Sequence, residues 1–206
     1  MNVGVLGTGM VGQAIASKLV SLGHSVAIGS RTADNTAATK WARRAASRAR
    51  AGTFRDAASF GEVLFNCTRG AASLSALRAA DAQNLNGKVL IDAANVLPPD
   101  EVGPQSLGEQ IQEAFPAAKV VKALNTVNCN VMVNPASVAG RHTVFVSGND
   151  AAAKRQTVAL LESFGWADII DLGDITTARA TEAYLPLWMA LWRKLGTAAF
   201  NISVVR

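Results

Sequence analysis

Gly7, Gly9 and Gly12 fall in the run Gly7-Thr8-Gly9-Met10-Val11-Gly12, the spacing G-x-G-x-x-G. This pattern lets backbone, rather than side chains, hold a phosphate. The first glycine permits a tight strand-to-helix turn, the second lets a pyrophosphate approach the chain, and the third lets the helix pack close to the sheet. The bare amides at the helix start, with the helix dipole behind them, then face the negative charge. Thr8, Met10 and Val11 fall on the phosphates. A glycine-rich turn with no ligand is the plainer reading. The context argues against it, because apolar Val3–Leu6 leads in and Val11, Ile15, Leu19 and Leu22 follow at helical spacing.

The second apolar run, His24 to Gly29, ends in Ser30-Arg31-Thr32. A chain that holds NAD usually places an Asp or Glu at this strand end for the ribose 2′-hydroxyl. None stands here. A carboxylate would repel a 2′-phosphate, whereas a guanidinium flanked by hydroxyls attracts one through charge-assisted hydrogen bonds. Ser30, Arg31 and Thr32 are therefore read as an NADP clamp, against the plainer reading of a solvated loop arginine. Asp34 is expected to cap the next helix.

In open α/β sheets the ligand lies beyond the carboxyl ends of the strands. Two more loops follow from that rule. Cys67-Thr68-Arg69-Gly70 should underlie the cofactor's middle, and Asn95 with Leu124-Asn125-Thr126-Val127-Asn128 should lie near the nicotinamide, Asn125 and Val127 on its side. Each has a bland alternative: Thr68 as a helix cap, Asn95 as a turn residue, Asn125 as a partner for loop backbone, Cys67 as a small buried hydrophobe.

No residue is assigned a catalytic role. His24 and His142 are the only histidines, and neither is placed as a general acid. No metal cluster is expected, and Lys122 reads as structural or phosphate-facing. Hydride transfer between two stacked redox rings needs proximity, orientation and dryness, not a protein acid. The residue set therefore fits cofactor-to-cofactor transfer better than carbonyl reduction.

The elements that must position these loops alternate between strand and helix signals. This predicts an α/β, Rossmann-like, doubly wound and mainly parallel sheet. Strands are expected at 3–6, 24–29, 52–54, 62–67, 88–92, 119–123, 143–147 and 167–171. Helices are expected from the glycine turn onward, at 35–49, 56–60, 71–81, 106–115 and 150–164, with 93–103 as a loop. A long final helical region is expected from Thr176 towards Arg206, interrupted near Pro186 and Gly196. Residues 1–174 read as the dinucleotide-binding domain and 175–206 as a C-terminal helical region that packs on it or on a partner subunit.

The 206 residues suffice for one core; half are hydrophobic, 17% are charged, and the net charge is +5. The cluster Lys40-Trp41-Ala42-Arg43-Arg44, with Arg48 and Arg50, reads as a solvated face that also raises the potential for an anionic cofactor. Nucleic acid is not expected, since no recognised motif accompanies it. Cys67 and Cys129 lack metal spacing and do not form a disulfide framework. With no cleavable leader and no apolar run of spanning length, a cytoplasmic protein without a membrane partner is expected. The last helix, with Trp188, Trp192 and Phe200 beside Glu182, Arg193 and Lys194, suggests a homodimer.

The runs Gly7–Gly12, Gly29-Ser30-Arg31-Thr32, Lys122–Thr126 and Asp171-Leu172-Gly173-Asp174, leading into Arg179 and Thr181–Leu187, together resemble the NADPH-dependent reductases of the 8-hydroxy-5-deazaflavin coenzyme F-420. The same domain forms the cytosolic part of the six-transmembrane metalloreductases. The resemblance covers nearly the whole chain, and Arg179–Leu187 is its more specific part. It implies that Thr8, Ser30 and Arg31 bind NADP, that Asn125 and Val127 lie over the nicotinamide, and that a deazaflavin stacks there. Two departures stand out: Asn35 replaces a lysine that helps hold the 2′-phosphate, and Asn125 replaces a histidine. The second leaves an ordinary flavin open as acceptor. Two other functions remain in competition. One is reduction of a small carbonyl or imine, with Tyr184, Lys122 or Arg179 as acid; the other is a non-enzymatic NADP-sensing module.

Overall fold

The computed structural model describes residues 1–96 and 104–206. Its centre is an eight-stranded sheet in the order β3-β2-β1-β4-β5-β6-β7-β8. The strands are β1 Asn2–Leu6, β2 Ser25–Ser30, β3 Ala49–Thr53, β4 Val63–Asn66, β5 Val89–Asp92, β6 Lys119–Ala123, β7 Val144–Gly148 and β8 Ile169–Asp171. The first six in chain order run parallel. β7 pairs antiparallel with β6, and β8 runs parallel to β7. A parallel sheet must be covered on both faces, and period-two alternation supplies both. Val3, Val5, Ile28, Phe65 and Ile91 join one core with Ile15, Leu19, Trp41 and Leu161. Leu6, Leu64, Leu90 and Val120 join the other with Leu77, Ile111 and Ala178.

The helices are α1 Met10–Ser21, α2 Thr36–Ala45, α3 Phe54–Phe60, α4 Gly70–Ala80, α5 Leu107–Ala114, α6 Cys129–Val133, α7 Ala151–Phe164, α8 Ala178–Ala183 and α9 Leu185–Leu195. Several depart from the sequence expectation. α3 starts earlier, at Phe54, because Thr53 and Asp56 form a reciprocal capping box that ends β3 and nucleates the helix at once. Asn35, not Asp34, caps α2, its Oδ1 accepting from the Ala38 amide at 3.0 Å. α6 was not expected. It is only five residues long, and Asn128 starts it by accepting from the Asn130 amide. Pro98 and Pro99, in the expected 93–103 loop, lie outside the described residues.

The C-terminal region is the largest correction. The expected break near Pro186 is present: α8 ends at Ala183, and Pro186 sits in the first turn of α9, where its missing N–H has no partner to lose. Gly196, at φ +69°, ends α9. Residues 197–206 are not helical. They run back over the start of β7, where the Thr143 amide donates to the Ile202 carbonyl. Phe200 belongs to this tail and stacks on Trp188 with ring centroids 5.4 Å apart.

The packing of β1 on α3 is close enough to exclude a methyl group. A Cβ added at Gly4 would lie 2.3 Å from the Ala57 carbonyl oxygen. Gly4→Ala should therefore destabilise the chain by about 1–3 kcal/mol through overpacking. Thermal unfolding should show a lower Tm with an unchanged far-ultraviolet spectrum, and an unchanged Tm would refute the tight contact.

Candidate active site

The carboxyl ends of β1, β2, β4, β5 and β6 share one rim of the sheet. At β1 the turn is built for backbone. Gly7 sits at φ +120°, and a Cβ there would fall 2.5 Å from the Cys67 carbonyl oxygen. A Cβ on Gly12 would lie 2.0 Å from the Gly7 carbonyl oxygen, whereas one on Gly9 would meet nothing within 4 Å. The first and third glycines thus answer to protein packing, and the second borders open space. Gly9 is also the N-cap of α1 and offers no side-chain cap, so the first-turn amides are left for a ligand. This is the donor set a pyrophosphate needs, and the chain fits one. Gln13 Nε2 donates to the Thr8 carbonyl at 2.8 Å and holds the loop. Met10 is 80% exposed beside it, while Val11 is half-buried.

At β2 a cavity of about 420 Å³ is lined by Gly7, Thr8, Ser30, Arg31, Thr32, Asn35 and Phe54. Arg31 and Thr32 are exposed. Among the described residues Arg31 has no carboxylate partner. Ser30 is buried, and its hydroxyl donates to the Thr32 carbonyl at 2.6 Å. That hydroxyl shapes the loop and reaches a phosphate only by releasing Thr32. Asn35 commits its Oδ1 to the α2 cap, so only its neutral Nδ2 can face the cavity. The one formal positive charge on the cavity lining is the Arg31 guanidinium.

At β4 the loop is tied inward. Asn66 Nδ2 donates to Asp92 Oδ1 at 2.8 Å and to Ser73 Oγ at 3.0 Å, and the Thr68 hydroxyl donates to Asn66 Oδ1 at 2.7 Å. Thr68 does not cap α4, whose N-cap is Arg69 without a side-chain bond. It instead joins a polar network beneath the loop. Cys67 is buried, and burial, with the Asp92 carboxylate adding to it, pushes its thiol far above the ordinary range. It is therefore no nucleophile. Arg69 is exposed.

At β5 and β6 two asparagines clasp. Asn95 Nδ2 donates to the Asn125 carbonyl at 2.7 Å, and Asn125 Nδ2 donates to Asn95 Oδ1 at 3.2 Å. Leu124, just before, has φ +64°, a left-handed turn that a leucine adopts only when its surroundings impose it. Val127 is buried in the core on the α1 side.

Beneath the clasp lies Lys122, 1% exposed. Its Nζ donates to the Ala94 carbonyl at 2.6 Å and pairs with Asp92 at 2.9 Å and Glu182 at 2.8 Å. Glu182 also accepts from the Leu107 and Gly108 amides at the start of α5. Burial alone would depress the ammonium's pKa; the two carboxylates outweigh it and hold the pKa above the ordinary lysine value. Its stabilising effect is therefore complete below the ordinary value and is lost only as pH climbs through the higher folded one. Asp92, Asn66 and Glu182 were not picked out from sequence. One signal was available: Asp92 and Lys122 are opposite charges at the ends of two apolar strands, and they pair in register.

The candidate acids fare poorly. His142 bonds the Pro135 carbonyl through Nε2 and Asn201 through Nδ1, both at 3.0 Å. Burial pushes the Tyr184 phenol up, which keeps it protonated, and its hydroxyl has no hydrogen-bond partner among the described residues; Arg179 is exposed. His24 precedes β2, at the opposite end of the sheet. Among the described residues no three His, Cys, Asp or Glu side chains gather to hold a metal, and no helix is long and apolar enough to cross a membrane.

A glycine turn over open space, a cationic cavity at the next strand end and a dry polar floor define a Rossmann-type, NADP-dependent oxidoreductase. Residues 2–96 match the family described as NADP oxidoreductase, coenzyme F-420-dependent. The crystal structure of a proposed F-420-dependent NADP reductase from Arthrobacter sp. FB24 is 48% identical, covers 99% of both chains and superposes with a TM-score of 0.93. The chain belongs to this family. It is also 31% identical to metalloreductase STEAP3 of Rattus norvegicus over 91% of its own length and 38% of the relative's. Metalloreductase STEAP2 of Homo sapiens is 30% identical, over 100% of this chain and 41% of the relative. The chain thus spans about two-fifths of the length of these curated relatives. A reductive aminase from Aspergillus terreus, solved with NADPH, shares the fold at 19% identity and a TM-score of 0.68, over 95% of this chain and 62% of that one.

The inertness of Cys67 can be tested directly. Iodoacetamide should leave it unmodified in the native chain and label it once the chain is unfolded, as read by peptide mass spectrometry. Fast native labelling would show that the β4 loop opens.

Proposed function

We propose that the chain passes hydride between NADP(H) and a deazaflavin of the coenzyme F-420 type, or a flavin. The observation that carries this reading is that two of the titratable groups are committed: Lys122 is saturated by two carboxylates and a carbonyl, and both nitrogens of His142 are engaged. Bound NADPH would supply the hydride. The protein's part is then to hold the 2′-phosphate on Arg31 and Thr32 with Ser30 shaping their loop, to cradle the pyrophosphate on Gly7–Gly12, and to pass the cofactor over Cys67, Thr68 and Arg69. Asn95, Asn125 and Val127 would orient the ring. These commitments weigh against a carbonyl or imine substrate, for which the Tyr184 hydroxyl, unpartnered among the described residues, is the remaining candidate acid. The 48% identity to the Arthrobacter protein supports the deazaflavin.

We also propose that residues 1–174 form the dinucleotide-binding unit and 175–206 the segment that joins two copies. Leu187, Trp192 and Leu195 of α9 are about half exposed, at 56%, 46% and 54%, an apolar face that a second chain would cover. A cytoplasmic homodimer acting on a small-molecule acceptor, without nucleic acid or membrane, is the setting this reading implies.

Three measurements test these proposals. In stopped-flow mixing, NADPH should be oxidised by the deazaflavin or by FMN, and no turnover with either would reject the acceptor class. Arg31→Ala should cost about 1.5–3 kcal/mol in NADPH binding, the range of a hydrogen bond to a charged group, while NADH binding stays constant. Equal affinity of the native chain for NADPH and NADH would reject the clamp. For assembly, Trp192→Asp should convert a dimer into a monomer in light scattering; a native chain that is already monomeric would overturn the homodimer.

A further inference from the structure

Lys122 does more than balance charge. Its ammonium reaches the carbonyl of Ala94, the residue before Asn95. Three residues after Lys122 stands Asn125, the other half of the clasp. Asp92, its carboxylate partner, also accepts from the Ala94 amide at 3.2 Å and from Asn66, which holds Thr68. Glu182 brings α8 and the start of α5 to the same nitrogen. One buried cation therefore ties together the loops after β4, β5 and β6 and the C-terminal segment. The left-handed Leu124 shows that the β6 loop is held in a conformation it would not adopt by itself.

We propose that Lys122 is a positioning residue: through the Ala94 carbonyl it fixes the Asn95–Asn125 clasp as the floor on which the nicotinamide ring is oriented. The proposal rests on the reading of the β5 and β6 loops as the nicotinamide end. Glu182 serves as the anchor that keeps the ammonium in place. A glutamine there cannot replace it. Its amide has one acceptor and one donor end, while Lys122 and the α5 amides both require an acceptor.

The test separates the two ends of the cofactor. The ligand 2′,5′-ADP carries the 2′-phosphate but no nicotinamide, whereas NADPH carries both, and its fluorescence reports the surroundings of the reduced ring without any acceptor. Lys122→Met and Glu182→Gln should bind 2′,5′-ADP within about twofold of the native chain. They should weaken NADPH about tenfold, the scale of one charged hydrogen bond, and lose the fluorescence change of bound NADPH. If removing a buried partner prevents folding, Asn95→Ala breaks the clasp without touching the charges and should give the same pattern.

Native-like NADPH fluorescence in the folded variants would overturn the proposal. So would a parallel loss of 2′,5′-ADP binding, which would make Lys122 merely structural. A native chain that binds NADPH no better than 2′,5′-ADP and without a fluorescence change would instead reject the placement of the nicotinamide end itself.

Discussion

The rim of the sheet depends on one ammonium buried where no water can reach it. A lone charge in such a place costs several kcal/mol, and the cost is offset only when partners with good geometry surround it. Lys122 has three such partners: Asp92 at the end of β5, the Ala94 carbonyl in the loop that follows it, and Glu182 on α8. Removing the ammonium would leave two buried carboxylates uncompensated, so the β5 loop, β6 and α8 cannot relax independently. A core of the same volume filled with aliphatic side chains would be at least as stable. What it would not do is fix the heading of each loop, because dispersion contacts have little directionality.

The two ends of the rim follow opposite electrostatic designs. Beneath the asparagine clasp, charges are buried, paired and insensitive to salt. At the β2 cavity the lining's charge is a single exposed guanidinium, and the attraction of such a group for any anion is screened over about 8 Å at physiological ionic strength. Asn35 adds a dipole there but no charge. Grip at that end therefore relies more on hydrogen-bond geometry than on a concentration of positive charge, even though the chain carries a net charge of +5.

Much of this was legible in the sequence, for local reasons. The glycine spacing encodes steric demands within a few residues, and the structure shows two of the three glycines packed against backbone. The alternation of strands and helices reflects apolar periodicity, which the sheet order bears out. The placement of Ser30, Arg31 and Thr32 at the β2 strand end was readable, while the inward turn of the Ser30 hydroxyl was not. What escaped the sequence depends on contacts across long separations. Glu182 meets Leu107 seventy-five residues away, and no local pattern announces that. α6 is too short to show helical periodicity. The tail after Gly196 follows apolar residues that look helical, but it is recruited by the open end of β7.

The reversal of β7 has a consequence for how the molecule can vary. Because that strand runs against its neighbour, its beginning, with Arg141, His142 and Thr143, returns to the same edge as the phosphate turn, and the closing residues lie across it. That edge is thus assembled from residues early in the sequence and residues late in it. The family match spans residues 2–96, the half that carries the glycine turn and the Arg31 cavity. Arg141, His142, Thr143 and the segment that lies across them fall outside that span, so the matched half does not dictate the side chains they bring to that edge.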